Sequence, residues 1–294
     1  MQGIGFQGGE VTEYIEKQII RISEEEFKNF RALVYDHFGI NLTAQKKSLI
    51  ESRFNKVLQT LNFTSFSELT REIEKDESGQ LLSLLINRIS TNHTYFFREL
   101  EHFVFIKNQI LPEWQARGAL ESDKEVRLWS DGCSSGEEPY SLAMELEDYF
   151  DQHQIRAKIK ILATDISLEA LEKAAQGIYT KEKIKAVPPL FVQKYFDKTS
   201  EDSYKVKDSL KKLVAFKRLN LMREEFPFTK EFDLVLCRNV MIYFDQATQQ
   251  QLITKFYRHI ALEGFMFVGH SESLMNKSNG LFEYLCPAVY QKQR

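Results

Sequence analysis

"DGCSSGEEPYSLAMEL", residues 131–146, decides how this chain folds. It starts at the polar end of a short apolar run, "EVRLWSD" (125–131). It turns on Gly132 and Gly136, then continues with helical spacing. A strand, a glycine-punctuated turn and a helix, in that order, make the opening unit of a parallel α/β sheet. Glu137 and Glu138 suit the positive end of the helix dipole, and Pro139 suits a first turn whose N–H groups lack partners. Ser134 or Ser135 is expected to cap the helix. The two glycines are expected to let a ligand approach the backbone. Taken alone, the stretch reads equally well as a ligand turn or as a well-capped helix start.

Charge separates the ligands. A phosphate at this helix start would meet two carboxylates and no Lys or Arg, a repulsive arrangement. A P-loop needs its lysine, so that reading fails. A nicotinamide-dependent oxidoreductase on a similar sheet is disfavoured too, because its pyrophosphate would sit at this turn. A phosphate-free nucleoside carrying positive charge fits better, and S-adenosylmethionine (SAM) is such a ligand. The next apolar run, "KIKILATDI" (158–166), ends in Asp165, placed to take ribose hydroxyls. Asp165 also suits the start of the helix near Ser167, and both uses can hold together.

Working outward, "LVAFKRLNL" (213–221), "FDLVLCRN" (232–239) and "GFMFVGH" (264–270) read as further strands. Helical patterns cover 137–150, 167–177 and 246–262. The alternation predicts a Rossmann-like, mostly parallel sheet flanked by helices. Five strands end in polar residues: Asp131, Asp165, Asn220, Asn239 and His270. Ligands of open α/β sheets bind beyond the carboxyl ends of the strands, so these ends point to one crevice. The polar segment 197–212 reads as an exposed excursion, with a small inserted β subdomain expected near 190–215.

Upstream of residue 120 helical spacing dominates. Ser23 and Glu26 form a capping-box pattern ahead of a stripe of Phe27, Phe30, Val34 and Phe38, and Gly39 is the expected stop. In 44–61, Leu49, Ile50, Phe54, Val57, Leu58 and Leu61 are expected inward. Two more helices follow in "SFSELTREIEK" and "QLLSLLINRIS". The expected organisation is an all-α N-terminal domain (15–90), a linker contributing to the active site (91–120) and a catalytic sheet domain (121–294).

The totals narrow the class. The 294 residues, 43% hydrophobic and 28% charged, support a sizeable core. A net charge of −3 gives no footprint for nucleic acid. No apolar run is long enough to span a membrane, and "MQGIGFQGGE" lacks the features of a signal peptide. Cys133, Cys237 and Cys286 form neither a disulfide framework nor a zinc site, so no metal and a reducing, cytoplasmic setting are expected.

The chain also resembles a family, the CheR-type chemotaxis receptor methyltransferases. The resemblance rests on "ISTNHTYFFRE" (89–99), "WSDGCSSGEEPYSLAMEL" (129–146), "ILATDISLEALEKAAQGIY" (161–179), "FKRLNL" (216–221), "FDLVLCRNVMIYFD" (232–245) and "GHSESL" (269–274). It covers essentially the whole chain in order. It implies a SAM-dependent enzyme that converts glutamate side chains of chemoreceptors to methyl esters, leaving S-adenosylhomocysteine (SAH). It further implies that Asn92 and Thr94 contact SAM and that Arg98 lies at the reaction centre, touching both cofactor and acceptor. Glu138 would contact the amino-acid part or ribose edge, Asp165 the ribose, and Asn220 and Leu221 would flank the adenine. Arg238 and Asn239 would line the cofactor site, and Tyr243 would face the methyl acceptor. His93 departs from the apolar residue the family pattern carries there and is given no role.

A glutamate acceptor is ionised at neutral pH, with an ordinary pKa of about 4.3, so methyl transfer to it needs no general base. Arg98 could grip the carboxylate and Tyr243 could donate a second hydrogen bond. Without the resemblance, a surface ion pair with Glu99 or Glu101 would be the better reading of Arg98. Lys46, Arg53 and Lys56 lie off the apolar stripe of 44–61 and are expected to dock the acidic, cytoplasmic helices of a receptor. A plain solvated helix face is the alternative. The enzyme is expected to act as a monomer. Competing functions are a non-catalytic SAM- or SAH-binding signalling adaptor and a methyltransferase acting on another signalling protein.

Overall fold

Ser23 starts the first helix with the reciprocal cap its sequence specifies. Its hydroxyl accepts from Glu26 N at 3.1 Å, and the Glu26 carboxylate accepts from Ser23 N at 2.9 Å. Such a cap is worth about 1 kcal/mol. The structure, a computed structural model, describes residues 19–90, 93–275 and 280–293. Residues 15–18 of the expected helical domain, and Asn92, lie outside them.

Helices α1 (Glu24–Phe38), α2 (Lys47–Thr60), α3 (Phe66–Lys75) and α4 (Gln80–Ile89) share one apolar core. At its centre Phe30 meets Phe54 and Phe66 edge-on, with centroids 5.1 and 6.1 Å apart. Leu49 and Leu61 correct the expected stripe, being 41% and 37% exposed. Leu49 sits one residue, about 100° of helix turn, before Ile50. Leu61 lies just past the helix end at Thr60.

The expected linker is largely helical. α5 (Leu100–Phe105), a π-helical stretch (Ile106–Ile110) and α6 (Leu111–Ala116) run on continuously and bury Phe103, Ile106, Ile110 and Trp114.

The alternating region follows as β1 (Glu125–Asp131), α7 (Glu137–His153), β2 (Lys158–Asp165), α8 (Leu168–Gln176), β3 (Ile178–Thr180), α9 (Lys181–Ile184), α10 (Pro189–Tyr195), β4 (Phe196–Ser200), β5 (Ser203–Val206), α11 (Asp208–Lys211), β6 (Val214–Arg218), β7 (Phe232–Cys237), α12 (Gln246–His259), β8 (Ile260–Val268), β9 (Phe282–Cys286) and β10 (Val289–Lys292). The main sheet is seven-stranded in the order β6-β2-β1-β7-β8-β10-β9. From β6 to β8 the neighbours are parallel, whereas β10 pairs antiparallel with β8 and β9. The order reverses between β1 and β7, the switch point where such sheets open a crevice.

Two boundaries differ from expectation. The helix expected to reach residue 262 stops at His259, because Ile260 is already paired with Phe232 in the sheet. The excursion is a second, antiparallel sheet in the order β3-β5-β4, and it begins at Ile178 rather than near 190. β3 has only three residues directly after a helix, so its sequence reads as a helix tail.

The N-terminal helices are joined to the sheet at its carboxyl edge. Ile40 bridges Phe244, and Asn41 N donates to the Tyr243 carbonyl at 2.8 Å. Asn220 Nδ2 donates to the His37 carbonyl at 2.8 Å, and the Tyr35 hydroxyl bonds Asp245 at 2.8 Å.

Candidate active site

One cavity opens at this junction. Its wall contains Thr94, Arg98, Asp131, Glu138, Asp165, Asn220, Leu221, Arg238, Asn239 and Tyr243, and the N-terminal helices contribute Phe38, Ile40, Ile86, Ile89 and Ser90. Every expected cofactor or catalytic residue within the described part therefore faces one space. Four of the five polar strand ends line it. His270 does not, and its ring packs on His102 with centroids 4.9 Å apart.

The glycine turn is held from below. Asp165 accepts from Ser134 N with one oxygen and from Ser167 N with the other, both at 2.8 Å. Each carboxylate oxygen keeps a lone pair for a further donor such as a ribose hydroxyl. The expected serine cap is corrected: Gly136 occupies the N-cap with φ +93°, and no side chain caps α7. Ser135 turns its hydroxyl to the Glu137 carboxylate instead, at 2.8 Å. Gly136 also serves packing rather than ligand approach. A Cβ there would stand 2.8 Å from the Ala174 Cβ and 2.9 Å from the Tyr179 hydroxyl.

The two acids of "GEEPYS" face opposite ways. Glu137 is fully buried away from the cavity, paired with Lys183 of α9. Glu138 lines the cavity, accepts from the Ser130 hydroxyl at 2.7 Å and lies 3.3 Å from Arg238 Nη1. Burial raises its carboxyl pKa against the lowering pull of Arg238. Asp165 is raised by burial as well, against the backbone bonds it accepts. Burial pushes Asp131 up to about 7, and the nearby Asp165 charge adds to the rise. Three acids in one cavity wall, each poorly stabilised as an anion, favour a cationic ligand. The residues present therefore fit SAM.

Arg98 forms no ion pair among the described residues, so the surface-pair reading fails. Its Nη1 donates to the His93 carbonyl at 2.8 Å, leaving other donors facing the cavity. Phe97 and Glu99, on either side, adopt left-handed φ values of 57° and 56°. Such non-glycine conformations cost of order 1–3 kcal/mol each and need external support. Tyr243 lines the cavity at the helical side, with Lys46 Nζ 5.5 Å from its ring centre.

The basic face of α2 is divided in its uses. Lys56 is exposed. Arg53 donates to the carbonyls of Arg88 and Ile89 at 3.1 and 2.8 Å, closing the end of α4. Asn220 likewise commits its side chain, to His37 O and Met222 N, and lines the cavity beside Leu221.

Sequence reasoning passed over Glu99 and Glu272. Glu272 accepts from Asn239 N at 2.8 Å and Gly269 N at 2.6 Å, fixing the strand ends. Glu99 accepts from Arg238 and Asn239, 139 and 140 residues further along the chain. Both acids sit inside quoted motifs, but nothing in their spacing announces these partners. One ligand atom each from Glu99, His102 and His270 fall within 4.8 Å. The Glu99 carboxylate that a cation would need already holds the Arg238 guanidinium.

Two family models match the chain. "CheR methyltransferase, all-alpha domain" matches residues 25–90, and "CheR methyltransferase, SAM binding domain" matches residues 92–289. A chemotaxis protein methyltransferase of Borreliella burgdorferi is 45% identical over 273 residues, covering 93% of this chain and 96% of its own. One of Escherichia coli is 35% identical over 257 residues, covering 86% of each.

Proposed function

Since the chain belongs to the CheR methyltransferase family, whose SAM-binding model covers most of its length, we propose that it methylates glutamate side chains of chemoreceptors. The product is a glutamate methyl ester and SAH. The observation that carries this reading is the acid-lined cavity with Arg98, which forms no ion pair among the described residues, on its wall. The acids suit a sulfonium, and the arginine suits a carboxylate acceptor.

SAM supplies a methyl group on a positively charged sulfur. The work of the chain is to hold charge and aim atoms. Glu138 supplies a carboxylate for the cationic end of the cofactor. Asp165 offers its remaining lone pairs to the ribose, and Thr94, Asn220, Leu221, Arg238 and Asn239 complete the cofactor wall, with Asn92 assigned from the family pattern. Arg98 grips one carboxylate of the acceptor and leaves an oxygen lone pair free, and its planar fork fixes the carboxylate's orientation in a way that a rotating ammonium would not. Tyr243 adds a hydrogen bond from the opposite, helical side. Neither group removes a proton, because the acceptor is already an anion near neutral pH. Orientation of this kind can supply several kcal/mol of the barrier.

Lys46, just before α2, and Lys56 on it present positive charge, and Lys46 stands over the Tyr243 ring at the cavity. We assign this face to docking of the acidic, cytoplasmic receptor helix, with the protein acting as a monomer. No helix among the described residues is long and apolar enough to cross a membrane. The test is transfer of labelled methyl from SAM to receptor-containing membranes, followed by mild alkali. A label released as methanol supports an ester; a label stable to base contradicts it.

A further inference from the structure

We propose that Glu99 is a positioning residue for methyl transfer: through Arg238 and Asn239 it holds the left-handed turn that aims Arg98 into the cavity. This role rests on Arg98 being the group that orients the acceptor.

Glu99 is not itself part of the cavity wall, although Arg98, Arg238, Asn239 and Glu138 are. Its carboxylate lies behind that wall, 12% exposed, and takes four donors. Oε2 accepts from Arg238 Nε at 3.3 Å and Nη2 at 3.1 Å. Oε1 accepts from Asn239 Nδ2 at 3.1 Å and His270 N at 3.3 Å. Arg238 Nη2 donates in addition to the Arg98 carbonyl. One buried guanidinium therefore grips the backbone of Arg98 and the side chain of the next residue together.

The local sequence gives Glu99 an obvious alternative task, and it does not perform it. It stands at the N-cap of α5, the position from which a side-chain oxygen can accept from the first helical N–H groups. No such bond forms. The side chain reaches instead to the end of β7. The turn needs that support, because Phe97 and Glu99 both hold positive φ without being glycine. The clamp also divides the charge of Arg238 between Glu99 and Glu138, which lies 3.3 Å from Nη1. If the Glu99 charge is removed, Arg238 is left to Glu138 alone and the turn carrying Arg98 is released. Orientation of the acceptor fails first. The cofactor wall keeps its own groups.

The experiment compares Glu99→Gln with the parent protein, and Arg98→Ala with the double variant, using the full chain and receptor-containing membranes at saturating SAM. SAH affinity and Tm are measured alongside. Glu99→Gln is expected to lower kcat by about tenfold to a hundredfold, the usual cost of a displaced positioning group. Its SAH affinity should stay within about threefold of the parent, since ground-state cofactor binding is separate from orientation. In the Arg98→Ala background the same substitution should cost nothing further, because the two residues act as one unit. Glu99→Asp keeps the charge and should retain more activity than Glu99→Gln at equal Tm. An unchanged kcat in Glu99→Gln overturns the role. So does the same loss with and without Arg98, or a loss of SAH affinity in step with the rate. An inactive Arg98→Ala beside a fully active Glu99→Gln sinks Glu99 alone; a fully active Arg98→Ala sinks the acceptor role of Arg98 and that of Glu99 with it.

Discussion

Arg238 and Glu138 face each other at 3.3 Å in the cavity wall, and the Arg238 side chain is almost wholly buried, at 2% exposure. A buried guanidinium next to the acid meant for a sulfonium competes for that acid unless a second carboxylate shares it. Glu99 is that second carboxylate, at 3.1 Å from Arg238 Nη2. Glu138→Gln should therefore weaken SAM more than SAH, because only SAM carries the sulfonium charge. A charge-assisted contact of this kind is worth roughly 1.5–3 kcal/mol, so a tenfold or greater loss for SAM is expected, on the order of one to two decades. Calorimetry with both ligands measures it, and equal losses for the two would place Glu138 elsewhere on the ligand.

The acid cluster makes cofactor binding depend on pH. Burial raises Asp131 to about 7, against an ordinary value of about 3.9. A carboxyl with a raised folded-state pKa contributes stability that is full below its unfolded value. That stability is lost as pH rises through the folded value. The ligand-free protein should thus lose Tm as pH rises from about 4 to about 7, the window between the ordinary Asp value and the raised value of Asp131. The raised Glu138 and Asp165 act in the same direction. A cation favours the ionised acids, so the preference for SAM over SAH should grow as pH rises through the same window. Asp131→Asn should flatten part of both profiles.

On α2 and the residue before it, the docking and structural roles should separate by residue. Charge reversal at Lys46 and Lys56 should slow receptor methylation by about tenfold at low salt, with SAH affinity unchanged, and the difference should shrink as salt is added. Arg53→Ala should act mainly on stability, because Arg53 closes the carbonyl end of α4. A comparable loss of rate from Arg53→Ala at unchanged Tm would return it to the docking face.

Gly136→Ala tests the turn. The added Cβ meets Ala174 and Tyr179 under 3 Å away, at a φ of +93° that an alanine rarely adopts. A loss of about 1–3 kcal/mol is expected, read as a lower Tm, from strain and crowding combined.

Much of this architecture was legible because its signals are local. Apolar runs ending in Asp131, Asp165 and Asn239 read as parallel strands, and helical spacing between them supplied the crossovers. The capping box at Ser23 and Glu26 was legible for the same reason. β9 and β10 were not, since "FEYLC" leaves its three central residues exposed on an antiparallel edge and shows no buried face. Site chemistry was legible where charge excluded ligands, as at the glycine turn. It was illegible where a residue's partner lies far along the chain. Glu99 looks like any surface acid until the fold brings Arg238 to it. Gly136 looks like a ligand glycine until Ala174 of α8 is packed beneath it.

The central claim is that Arg98 orients a glutamate carboxylate for methylation while the acid-lined cavity holds SAM. Labelled methyl transfer from SAM to receptor-containing membranes by Arg98→Ala, with SAH affinity measured on the same sample, tests it most directly. The expected result is near-complete loss of base-labile label with SAH affinity close to that of the parent protein. Full labelling by Arg98→Ala would contradict it.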